Sequence, residues 1–106
     1  MTQKELSAIL KRVGLPLAYH HFDKPQKLPF MCYIRDGDDN EHADNKTWVK
    51  LKNYQVELYS EKKSPELEEK IESIFDENEI IYDVAETYIE SEKMYEVIYF
   101  IQVIGG

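Results

Sequence analysis

Three histidines and one cysteine carry whatever nucleophilic or metal chemistry this chain could do: His20, His21, His42 and Cys32. A thiolate nucleophile needs an electropositive, partly exposed setting beside a base. Cys32 instead stands inside the apolar run Phe30-Met31-Cys32-Tyr33-Ile34, which predicts a small buried hydrophobe. With a single cysteine there is no intrachain disulfide. His20 and His21 are adjacent, and adjacent side chains on a strand point to opposite faces, so they are not expected to share one ion. The acidic stretch Asp36-Gly37-Asp38-Asp39-Asn40 begins like a calcium loop, with Asp36, Asp38 and Asn40 at the first three ligand positions. The pattern then fails. Glu41 stands where the turn glycine is needed, and Thr47 where the bidentate glutamate belongs. No HExxH, CxxC or glycine-rich phosphate loop is present. This inventory predicts no enzyme, no metal site and no cofactor.

The elements that would position these residues can be read from spacing. Thr2 and Glu5 have the spacing of a capping box, and Leu6, Ile9, Leu10 and Val13 follow as one apolar stripe. Gly14 and Pro16 end that helix. Tyr19 to Phe22 is a short strand candidate, and Phe30 to Ile34 a stronger one. Asp36 to Asn40 reads as a loop, left by a short strand over Lys46 to Val49. Tyr54, Val56 and Leu58 alternate with Gln55 and Glu57, as on a half-buried strand. Ser64-Pro65-Glu66 opens a second helix, whose apolar side is Leu67, Ile71, Ile74 and Phe75, with Asn78 expected as a left-handed cap. Strands over Ile80 to Ile89 and Tyr95 to Ile104 close the chain as a hairpin through Glu90-Ser91-Glu92-Lys93. The second of these is apolar on both faces, which predicts a central strand covered on both sides, by the helices and by a further layer or another subunit. The fold class expected is α+β: a mostly antiparallel sheet of four to five strands packed with two helices, in the order α-β-β-(β)-β-α-β-β, within one domain spanning residues 1–106.

Composition narrows the function classes. The 106 residues are 42 % hydrophobic and 32 % charged, which fits a soluble globular domain rather than a fibrous or disordered chain. No stretch approaches the length of a membrane span, and Met1 to Lys11 lacks the layout of a secretory signal, so a cytoplasmic product is expected. The net charge of −8 is unevenly spread. Residues 1–60 carry nine Lys/Arg against eight Asp/Glu, and residues 61–106 carry four against thirteen. An acidic field of that kind repels phosphate backbones, so no direct nucleic-acid binding is expected. Eight tyrosines, mostly in predicted strands, suit either sheet packing or interface contact.

Four segments together resemble a known family: Asn40-Glu41-His42-Ala43-Asp44-Asn45-Lys46, Lys52-Asn53-Tyr54-Gln55-Val56-Glu57-Leu58-Tyr59, the run from Lys62 to Lys70, and the run from Glu86 to Val97. They are similar to the small tail-terminator (tail-completion) proteins of long-tailed phages and prophages of Gram-positive bacteria. The likeness runs from about Phe30 onward. It implies a small α+β domain that forms a ring, typically hexameric. Such a ring caps the finished tail tube, stops its polymerisation and joins tail to head. The partners implied are other copies of the chain, the major tail-tube protein and a head–tail connector protein. The location implied is the virion tail, after assembly in the host bacterial cytoplasm.

A ring needs closing, heterologous subunit contacts. The polar stretch that ends in an aromatic is the expected subunit contact: Asp38, Asp39, Asn40, Glu41, His42, Asp44, Lys46 and Trp48. Two other functions fit the same sequence. One is an acidic, DNA-mimicking inhibitor of a basic host protein, acting through Glu68, Glu69, Glu72 and Glu77. The other is a different component of the head–tail connector.

Overall fold

The computed structural model describes residues 1–38, 41–43 and 46–105, with 41–43 and 46–49 described by their backbone alone. Helix α1 (Gln3–Lys11) starts as its sequence dictates. The Thr2 hydroxyl accepts from the Glu5 N–H, and the Glu5 carboxylate accepts from the Thr2 N–H. That pair of hydrogen bonds lowers the Glu5 carboxyl below its ordinary range. Gly14, at φ +88°, turns the chain away in the left-handed region.

The next strand, β1 (Leu17–Tyr19), lies earlier than the expected Tyr19 to Phe22. It runs parallel to β2 (Phe30–Asp38), with Leu17 opposite Met31 and Tyr19 opposite Tyr33. Pairing stops at His20, whose backbone turns to φ +70° while its N–H donates to the Tyr33 carbonyl at 2.7 Å. Strand β2 also runs further than expected, through the Asp-Gly-Asp stretch read as loop. A register shift between Arg35 and Asp38, with Gly37 at φ +80°, makes this possible. One extra residue is absorbed in the ladder as a bulge, and glycine takes the conformation that other residues resist.

Strands β3 (Glu41–Ala43) and β4 (Lys46–Val49) form a separate two-stranded ladder. Strand β5 (Leu51–Ser60) then returns to the main sheet, antiparallel to β2. Helix α2 (Pro65–Glu77) begins with the Ser64 hydroxyl accepting from the Leu67 N–H. Its end differs from expectation. Asn78 keeps φ −101°, and Glu79 is the residue in the left-handed region, at φ +56°. The Asn78 side-chain amide instead donates to the Ile74 carbonyl at 2.8 Å. Strands β6 (Ile81–Ile89) and β7 (Met94–Ile104) form the expected hairpin.

The main sheet has the order β1-β2-β5-β7-β6, antiparallel except at β1. Both helices lie on one face. The core there takes Leu6 and Leu10 from α1, Met31 and Tyr33 from β2, and Tyr54, Val56 and Leu58 from β5. From the other side come Ile71, Ile74 and Phe75 of α2, and Val97, Tyr99 and Ile101 of β7. The architecture is α+β, as the element order predicts.

Candidate functional site

The face of the sheet opposite the helices is where the molecule has most to offer a partner. Register fixes which residues stand on it: Ile81 is opposite Gln102, Asp83 opposite Phe100, Glu57 opposite Ile98 and Leu51 opposite Ile104. Among the described residues nothing buries the outer face of β7 as the helices bury its inner one. Ile104 is 67 % exposed, Phe100 40 % and Ile81 75 %. The same strand buries Val97, Tyr99, Ile101 and Val103 on its other side. A central strand this apolar, bare on one side, presents a patch of the kind that marks interaction surfaces.

At one end of this face the loop after β1 stands over β2 and β5, leaving a groove of about 530 Å³ lined by His20, His21, Cys32, Tyr59, Ile89 and Met94 among others. The positive φ at His20 brings the two imidazoles together, with Nδ1 to Nδ1 at 3.2 Å and ring centroids 4.8 Å apart. The expectation that they point apart is therefore corrected. It assumed a strand running through both residues, whereas β1 ends at Tyr19. Asp23 lies 3.6 Å from His21 Nε2. Among the described residues no three His, Cys, Asp or Glu side chains gather as a metal would require. Cys32 is buried, as its neighbours predicted. Burial, then the charge of Glu57, pushes its thiol up to about 11, which keeps it protonated and unreactive at neutral pH.

A carboxyl pair lies beside the groove. Glu57 on β5 and Glu96 on β7 are diagonal neighbours on the same face of the sheet, Glu57 opposite Ile98 and Glu96 opposite Tyr59. Tyr59 Oη donates to Glu96 Oε2 at 2.8 Å, and the Tyr59 ring stacks on Phe30 at 5.0 Å. Burial, then the negative charge of Glu96, pushes Glu57 up to about 7. The phenol of Tyr59 rises well above its ordinary range for the same reasons, burial first and then its bond to Glu96. The pair was not singled out from the sequence. Glu57 and Glu96 are 39 positions apart, and only the β5–β7 register makes them neighbours. The one signal available was an acid alternating with apolar residues on a strand later found to be interior.

The expected contact stretch fares unevenly. Asp38 pairs with Arg35, whose Nε donates to Asp38 Oδ1 at 3.0 Å. Glu41, His42, Lys46 and Trp48 lie on the β3–β4 ladder. Asp39, Asn40 and Asp44 fall outside the described residues. The tyrosines divide between buried and exposed positions. Tyr54 and Tyr99 are fully buried, while Tyr88 is 45 % exposed and meets Tyr95 edge to face at 4.9 Å. No protein-family model matches the chain, and no curated protein matches it either. Among the described residues no helix is long and apolar enough to cross a membrane.

Proposed function

We propose that this chain is a structural subunit of a phage or prophage tail, which assembles with copies of itself into a ring that caps the tail tube, ends its growth and joins it to the head. The observation that carries the reading is the bare sheet face. Ile81, Phe100 and Ile104 sit exposed on one face of a sheet whose other face carries the core residues Val56, Val97, Tyr99 and Ile101. Such a surface suits a building block that gains its cover by assembly. The likeness of the segments from Asn40 to Val97 to tail-terminator proteins supplies the particular assembly.

The acidic-inhibitor reading has less to stand on. Of the four glutamates it needs, Glu68 is held by Lys63, Glu77 by Arg12, and Glu72 accepts from Tyr82 and Tyr99.

Two measurements test the tail reading. Sedimentation of the purified protein at high concentration is expected to show hexamers, or a monomer–hexamer equilibrium. In the phage itself, deletion of the gene is expected to give overlong tails detached from heads by electron microscopy. A chain that stays monomeric even with purified tail tubes would overturn it.

A further inference from the structure

The sheet order turns a property of the sequence into a property of the surface. Strands β1, β2 and β5 come from residues 17–60 and lie on one side, while β7 and β6 come from residues 81–104 and lie on the other. The helices divide the same way. Lys4, Ser7 and Lys11 of α1 border a hollow shared with Tyr33 of β2. On the other side, Phe75 of α2 packs its ring 5.5 Å from both Tyr82 of β6 and Tyr99 of β7. The charge asymmetry therefore becomes lateral. Residues 1–29, from α1 through β1 and its loop, hold five Lys/Arg against two Asp/Glu. Residues 65–89, which are α2 and β6, hold one against nine. Lys4, Lys11, Lys24 and Lys27 are exposed on the first flank, and Glu69, Asp76 and Asp83 on the second.

Both flanks also carry apolar contact area. Tyr19 is 43 % exposed on β1; Val84 and Tyr88 are 49 % and 45 % exposed on β6. Among the described residues β6 ends the sheet and pairs on one side, with β7, leaving the other edge of its backbone open to a partner. Acidic flank against acidic flank would set like charges together, which disfavours a two-fold contact through β6.

We propose that copies of this chain join head to tail, the acidic flank of α2 and β6 in one copy meeting the basic flank of α1 and β1 in the next. The proposal rests on the reading of the chain as a self-assembling subunit and names the two surfaces that reading requires. A contact between unlike surfaces repeats from copy to copy and closes into a ring when its rotation permits.

Charge reversal tests it. Two variants are compared with the unmodified protein by sedimentation velocity: Lys4→Glu with Lys11→Glu, and Asp76→Lys with Asp83→Lys. Each variant alone now faces like with like, and its assembly is expected to weaken by roughly tenfold or more. An equal mixture of the two restores unlike pairs at every junction and is expected to recover the assemblies. Lys24→Glu with Lys27→Glu, in the loop beyond β1, repeats the first reversal without touching a helix. Circular dichroism checks that every variant is folded. Assembly of either reversed variant at the unmodified level, or a mixture of folded variants that stays monomeric, would overturn the pairing of flanks while leaving the ring itself standing. An unmodified protein that never assembles, with or without tail tubes, would remove both.

Discussion

Tyr99 on β7 donates its hydroxyl to Glu72 Oε2 on α2 at 2.9 Å, tying the second helix to a central strand. The tyrosine ring is fully buried, and Tyr82 Oη reaches the other oxygen of the same carboxylate at 3.4 Å. One glutamate thus anchors two strands. Tyr99→Phe removes the shorter bond while keeping the ring, and is expected to lower stability by about 1–2 kcal/mol. Urea unfolding measures this as a lower midpoint at unchanged slope.

The Glu57–Glu96 pair gives stability a dependence on pH. Glu57 has an ordinary value near 4.5 and rises to about 7 in the fold, so the folded state holds its proton more tightly than the unfolded chain. Its contribution is fully present below about 4.5 and is lost as pH rises through 7. Since Glu57 is half-buried and still reached by water, screening trims the effect to about 1–2 kcal/mol. Glu57→Gln is expected to flatten this part of the stability curve and to unfold at higher urea than the parent at pH 8. A parent whose midpoint does not move between pH 5 and pH 8 would contradict the assignment.

Cys32 is 4 % exposed, and its thiol stays protonated at neutral pH. A disulfide reagent added to the native protein at pH 7.5 is expected to react only as fast as the chain opens, with urea raising the rate steeply. Cys32→Ser places a hydroxyl in the same setting and is expected to cost about 1–2 kcal/mol.

Ile81 and Ile104 differ from the core residues beside them. Their replacement by Ser is expected to change unfolding free energy by no more than about 1 kcal/mol, because both are largely exposed already. Ile101→Ala, one strand-face away and buried, is expected to cost about 2–5 kcal/mol. If the bare sheet face serves assembly, the two Ser variants should co-sediment poorly with tail tubes while remaining folded.

Local chemistry was legible from the residues themselves. The Thr2–Glu5 box, the Ser64-Pro65 start and the alternation over Tyr54 to Leu58 each depend on neighbours within a few positions, and each stands in the structure as the spacing predicts. Features set by pairing were not legible. The true position of β1 follows from its parallel match to Met31 through Tyr33, and the survival of β2 past Gly37 follows from a bulge against β5. Glu79 rather than Asn78 takes the left-handed turn, while the Asn78 side chain caps the helix by another route. The outer face of β7 was legible as apolar, with its second cover left open between a further layer and another subunit, and Phe100 and Ile104 stand exposed on it. Hydrophobicity states what a surface prefers to touch; it does not say whether the same molecule supplies it.

Strand β7 lies between β5 and β6, though β6 precedes it in the chain. While the polypeptide is still emerging from the ribosome, β5 and β6 therefore have no common neighbour. The side of the core built on Val97, Tyr99 and Ile101 stays empty until residue 104 is out. A nascent chain therefore cannot complete its sheet until its last strand has been made.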